Sequence, residues 1–413
     1  MNMRSNLTLF AALTLLVSTA LQAQWEPLNV GGTGNRSVTT FGGSIFVAAP
    51  PAGVRKSAND GATWTLANTG LPMSGANVNV RSIGRSATAL FCGTESGVFR
   101  STDNGASWLN VNGALPAATT TIYCDKIFTF GTATFVAFTG QLSQNGGGLF
   151  RTFDNGATWL QAYSGLSSNM VVTNMAEVGG VLYASTNTAL MKSEDLGGSW
   201  QPAGTTNWAV QSVQGVNGTL VILGAFGAQR STDNGTTWSA TTGYPTTNCP
   251  AGSELIVFDG MLYAITKTGA NGCFRSADNG ATWTAYNDGL STQNTFVQEE
   301  FHVSSSHLYI ACALDCYRVE STTTDIPSPA ALELPTPQPT VFVDHFSVDL
   351  SALSGAHRVI MLDAAGREVA RHTTFGGQLN WIERGNLVAG RYHCLIQEVS
   401  TGVIQPIGQV IAE

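Results

Sequence analysis

Charge is what this 413-residue chain has least of: 27 Asp and Glu against 19 Lys and Arg, or 11% of residues. A formal net charge of −8 with no basic run leaves nothing to grip a nucleic-acid backbone, so nucleic acid is excluded as a partner. Long apolar stretches are missing too. The one near the start, Leu7 to Leu16, falls well short of the ~20 residues that span a bilayer, and no longer one follows, so no transmembrane segment is expected. Calcium loops of Asp-x-Asp-x-Asp type, zinc-ligand cysteine spacing, Gly-x-Ser-x-Gly and phosphate-binding loops are all absent. The Gly-rich QNGGG at 144–148 joins two strands instead of preceding a helix, and reads as a turn. No metal and no cofactor are expected.

What is present is glycine, 46 of them, with 14 prolines in a chain that is 43% hydrophobic, the composition of a large, turn-rich β protein. Arg4, the short apolar run and the small residues before LQAQ (21–24) have the order of a secretory signal. Cleavage is placed after Ala23, giving a signal peptide of 1–23; Ala20 is the alternative, because Ser18 and Ala20 also fit the small-residue rule. Seven cysteines then meet an oxidising compartment. Cys312 with Cys316, and Cys249 with Cys273, are positioned to pair; an odd count leaves at least one thiol over.

One nonapeptide recurs: RSTDNGASW (100–108), RTFDNGATW (151–159), RSTDNGTTW (230–238) and RSADNGATW (275–283), with variants KSANDGATW (56–64) and KSEDLGGSW (192–200). Trp64, Trp108, Trp159, Trp200, Trp238 and Trp283 are separated by 44, 51, 41, 38 and 45 residues, a period that suits one four-stranded sheet per repeat. Within the box, Asp103, Asp154, Asp195, Asp233 and Asp278 (Asn59 in the first copy) accept backbone N–H bonds, Gly tolerates positive φ, and Trp covers the hairpin. The box is therefore structural.

The pattern S-x-D-x-G-x-[ST]-W resembles the Asp-box, or bacterial neuraminidase repeat, over about residues 45–290. That resemblance implies a β-propeller with each box between the third and fourth strands of a blade, away from the functional face. It does not imply one function, because sialidases, xyloglucanases, sortilin-type receptors and photosystem assembly factors share it. After Trp283 a seventh unit, 301–321, has no box, while QWEPLNV (24–30) looks like a fourth strand without its blade, with Trp25 39 residues before Trp64. Joining the two closes a ring of seven blades over 24–322 and leaves no free edge.

Five prolines in STTTDIPSPAALELPTPQPT (321–340) mark an extended linker, taken as 323–340. The remainder, 341–413, alternates as strands joined by Gly-containing turns and reads as a small Ig-like β-sandwich. The fold class is thus all-β, a seven-bladed β-propeller followed by that sandwich. Pro335-x-Pro337, then Asp363-Ala-Ala-Gly366-Arg367-Glu-Val369, then Leu387-Val-Ala-Gly390-Arg-Tyr392 resembles the C-terminal sorting domain of bacterial type IX secretion cargo. The resemblance implies type IX secretion machinery as a partner of 341–413, and a secreted or outer-membrane-surface protein of a bacterium. The ending Ile411-Ala412-Glu413 departs from the basic ending common in that family.

Counting back from the turn after each first strand gives a polar ring at the propeller mouth: Arg36/Ser37, Arg81/Ser82, Asp125/Lys126, Thr173/Asn174, Gln211/Ser212, Ser253/Glu254 and Glu299/Glu300. From it Arg36, Arg81, Asp125, Lys126, Glu254, Glu299 and Glu300 are the candidate ligand-binding residues. Glycoside hydrolysis needs two carboxylates at defined separation, one with a raised pKa, and Glu254 with Glu299 or Glu300 is the pair to nominate, with Asp125 a third choice. A sialidase would need three arginines for the substrate carboxylate; Arg36 and Arg81 supply two, and no Phe-Arg-Ile-Pro stretch occurs. His302 and His307 fall on opposite faces of one strand and should not converge on a metal. The reading is a non-catalytic module binding a glycan or protein at the propeller mouth. The alternatives are a sialidase-like or xyloglucanase-like glycoside hydrolase, and an assembly or scaffolding factor.

Overall fold

A computed structural model describes residues 25–413 apart from 33, 76, 114, 116–121, 141–147, 168–169, 205–207, 225, 246–252, 267–271, 292–297, 322–336, 339–340, 351–355, 364–365, 376–377 and 400–403. The expected signal peptide, most of the linker and Cys249 lie outside the described residues. Those described form strands and turns, and no helix among them is long and apolar enough to cross a membrane.

Each box closes on itself. Asp103 accepts the Ser107 backbone N–H at 2.9 Å and the Ser101 hydroxyl at 2.8 Å, and Ser101 Oγ accepts the Gly105 N–H at 2.9 Å. Asp154, Asp195, Asp233 and Asp278 repeat the backbone bond at 2.8–2.9 Å, and Asn59 makes it with Thr63 at 2.9 Å. The residue after the acid adopts left-handed φ in all six boxes: Asp60, Asn104, Asn155, Leu196, Asn234 and Asn279, at 54–57°. Asn and Asp tolerate that region, and Leu does not do so without cost, so Leu196 is the strained member.

Among the described residues are seven antiparallel four-stranded sheets, here sheets 1 to 7 in chain order of their innermost strands, and the boxes cap hairpins in the first six. Their innermost strands are Ser37–Phe41, Val80–Arg85, Ile122–Phe130, Val172–Val178, Val210–Val216, Glu254–Phe258 and Gln298–Val303. The second strands are buried along most of their length, SIFVAA in sheet 1 at every residue, as expected for a sheet covered on both faces. Seven apolar clusters fill the seven spaces between successive sheets; the last joins Leu28, Val38 and Val47 of the chain's start to Tyr309, Ala311 and Cys316 near residue 316. The sheets therefore close a ring about a central channel, the architecture of a β-propeller.

Sheet 7 takes its outer strand from the other end of the chain, with Glu26 opposite Arg318 and Pro27 opposite Tyr317. Trp25 stands there as the box tryptophans do elsewhere. Its indole N–H donates to Tyr286 O at 3.0 Å, just as Trp108 donates to Ala67 O, Trp159 to Val111 O and Trp200 to Ala162 O. Cys312 and Cys316 sit buried at one hairpin end with no disulfide between them.

The C-terminal module has two sheets, a three-stranded one with Pro337–Gln338 beside His345–Asp349, and a five-stranded one holding Ala356–Leu362 and Gly390–Glu398 at its centre. Phe346, Val348, Val359, Met361, Cys394 and Val410 pack between them.

Candidate functional site

The paired positions read from the sequence fall at one structural feature. In sheets 2, 3, 4, 5 and 7 the innermost strand carries a register shift, skipping Arg81, Asp125, Thr173, Gln211 and Glu299. A bulge of this kind leaves one residue unpaired and re-aims its side chain. In these five sheets the first member of the pair is thus the bulged residue and the second returns to the ladder, so the two have different fates.

The second members bind neighbouring sheets. Ser37 Oγ accepts Ile83 N–H at 3.2 Å, Ser212 Oγ accepts Leu255 N–H at 2.9 Å, and Glu254 Oε2 accepts Phe301 N–H at 3.0 Å; Ser82 instead donates to Cys124 O at 3.0 Å. These side chains are buried, Glu254 with 9% exposure. Two contacts cross the channel, because they join sheets that are not neighbours in the ring: Lys126 Nζ to Glu300 Oε2 at 3.2 Å (sheets 3 and 7), and Asn174 Nδ2 to Glu254 Oε1 at 3.5 Å (sheets 4 and 6). Together they plug the channel.

On the bulge side of the plug, Arg81 gathers charge. It pairs with Glu95 at 3.3 Å and Asp125 at 3.8 Å, lies 3.9 Å from the centre of the Tyr123 ring, and Asn79 donates to Glu95 at 3.1 Å. Arg36 is exposed on the same end, and the Glu299 side chain lies outside the described residues. Beyond the plug a cavity of about 510 Å³ runs to the first hairpin turns, lined by all seven innermost strands, with Arg85, Phe128, Phe130 and His302 among its walls. His302 Nε2 accepts the Thr40 N–H at 3.1 Å and lies 3.0 Å from the Thr40 hydroxyl. Burial, with the Arg85 charge adding to it, pushes the His302 pKa down to about 3, so the ring is neutral. His307 is separate, its ring bonded to Ser306. Among the described residues no group of three or more His, Cys, Asp or Glu is placed to hold a metal.

Sequence reasoning missed Glu95 and Tyr123 because they lie outside the counted pairs; Glu95 sits in the second-to-third-strand turn at the same end of sheet 2. It also missed what the basic residue that opens the first three boxes does. Lys56 donates to Asn104 O at 2.7 Å, Arg100 to Asn155 O at 2.8 Å and Arg151 to Asp195 O at 3.1 Å, each reaching the next box. Arg318 continues the belt from sheet 7 to Asp60 of sheet 1, at 2.6 Å between charged atoms.

This architecture is shared with known propellers. Residues 112–253, about a third of the chain, match the family described as DUF6242 beta propeller domain. No curated protein matches the chain. Among solved structures it resembles an ancestral GH74 enzyme (TM-score 0.56, 13% identity, 94% of this chain and 63% of that one). It also resembles YCF48 bound to D1 peptide (0.50, 16%, 73% and 95%) and a chain of the mitotic checkpoint complex (0.52, 12%, 78% and 100%). The chain spans 63% of the GH74 enzyme's length, and identities this low establish the fold alone.

Proposed function

We propose that this chain is an exported, seven-bladed Asp-box propeller over 24–322, joined by the linker 323–340 to an Ig-like sorting sandwich at 341–413, and that it binds a glycan or protein without catalysis. The observation that carries the binding reading is the engagement of the nominated carboxylates. Glu254 holds sheets 6 and 7 together, Glu300 is paired with Lys126, and Asp125 is paired with Arg81. A glycosidase acid has to exchange protons with substrate, and a carboxylate accepting a backbone N–H as a structural staple is badly placed to do so. The bulged residues around the mouth, with Arg81, Glu95, Asp125 and Tyr123 at their centre, offer charge and one aromatic face to a polar ligand. Export by type IX machinery rests on three sequence elements, one at the end of the linker and two in the sandwich.

Similarity to a GH74 enzyme is the observation that favours the second reading, a glycoside hydrolase using Glu254 with Glu299 or Glu300. A glycan array run beside a reducing-sugar and sialic-acid release assay on the same glycans separates the two. Binding without release, weakened by Arg81→Ala, supports the module. Release that disappears in Glu254→Gln or Glu300→Gln replaces it with the enzyme. A peptide pull-down under the same conditions tests the scaffolding alternative.

A further inference from the structure

Two of the six boxes carry a large apolar residue where the others carry a small or polar one, and both of these residues face the same object. At the position before the acid, Ala58, Thr102, Glu194, Thr232 and Ala277 are exposed, whereas Phe153 is half-buried. At the left-handed position the residues are Asn or Asp except for Leu196, φ 54°. Phe153 and Leu196 pack together on Ile360, Leu362 and Leu395 of the C-terminal module.

The module is prepared for the contact from its own side. Strands with one face in a core and one in water alternate, but VIML (359–362) and CLI (394–396) are continuous apolar runs. Val359, Met361, Cys394 and Ile396 fill the module's interior, while Ile360, Leu362 and Leu395 turn the other way and are 2–4% exposed. Ile360 pairs with Leu395 and Leu362 with His393, so the outward group is one patch. His393 lies 5.7 Å from the Phe153 ring. Arg151 is 2% exposed, while its counterparts in the other boxes are half-buried. Gly366, φ 71°, fits where a Cβ would stand 2.7 Å from Phe153 and 3.1 Å from Arg151.

We propose that the third and fourth boxes form a seat for this chain's own C-terminal module, which keeps the module on the propeller after the linker is cut. Repeat positions that carry small or polar residues elsewhere carry large apolar ones only here, one of them at a cost in backbone strain, and the facing sheet is apolar on the side that would otherwise meet water. The linker then fixes local concentration, and the seat supplies the affinity. Where the sorting reading applies, proteolysis in 323–340 yields a two-piece complex instead of a released tail; the seat itself does not depend on that reading.

The test uses the full chain with a protease site inserted in 323–334, ahead of the module's first strand at Pro337–Gln338, cut to completion and run on a sizing column at micromolar concentration. Expected is co-elution of the two pieces, with separation, or at least tenfold weaker association, in Phe153→Thr and in Leu196→Asn. Leu196→Asn puts a tolerant residue at the left-handed position, so its propeller should melt no lower than wild type; loss of the module there cannot be ascribed to misfolding. Hydrogen exchange on the uncut chain should show amides at 151–156 and 393–396 exchanging at least tenfold faster in Phe153→Thr. Separation of the wild-type pieces, or equal retention in both variants, overturns the proposal.

Discussion

Replacing His302 by Gln should make the protein more resistant to acid than it is now. His302 must keep Nε2 unprotonated to accept the Thr40 N–H, and its folded pKa is about 3 against 6.5 for an ordinary histidine. Between those values the unfolded chain binds one proton more than the folded one, so stability is complete above pH 6.5 and falls with pH by about 1.4 kcal/mol per unit. The loss amounts to roughly 3 kcal/mol at pH 4.5, a substantial share of the ~5–15 kcal/mol that holds a typical domain. Gln can present an amide oxygen to Thr40 and does not titrate. Urea unfolding of both proteins at pH 7.5, 6.0 and 4.5 is the assay, and the wild-type minus variant difference isolates this residue from His307, His372 and His393, which burial also pushes down. Curves that descend in parallel from pH 6.5 to 4.5 would refute the argument.

Acid should act again lower down. Asp103 is held at about 2 by the Ser107 hydroxyl and N–H and by Ser101, so its contribution is present above pH 4 and fades as pH drops towards 2; Asp103→Asn should flatten the stability curve there. Asp103→Ala at neutral pH should cost about 1–2 kcal/mol in urea unfolding by removing the acceptor for those donors. Trp25→Ala should cost about 3–5 kcal/mol, since it empties a buried site and frees the strand that completes sheet 7. Lys126→Met should destabilise more than the double change Lys126→Met with Glu300→Gln, because the single change removes the cation that faces a partly buried carboxylate in the channel.

The boxes were legible in the sequence because their geometry is local: an acid bonding four residues ahead and a Gly at positive φ need no partner from elsewhere. The closing strand was legible for a related reason, since Trp25 keeps the period. The ring of paired positions was found by counting, but its division into bulged and stapling residues was not, because a bulge is a property of two strands together. Glu254 and Glu300 look alike on paper, and only the neighbouring sheets decide that one accepts Phe301 N–H while the other meets Lys126 across the channel. Leu196 stood in a variant copy of the repeat and Phe153 in a regular one, and the meaning of both required the module they touch.

The strand at Glu26–Pro27 finds its partner 292 residues later, at Arg318. A chain made from its N-terminus carries that strand unpaired until nearly the whole ring has been synthesised, and closing a loop of this size costs about 5 kcal/mol of chain entropy. Six sheets can assemble from neighbouring segments as they emerge, whereas the seventh waits for the end. Completion of the ring is therefore a final, slow, length-dependent step, and a truncated product ending before residue 316 has no way to take it.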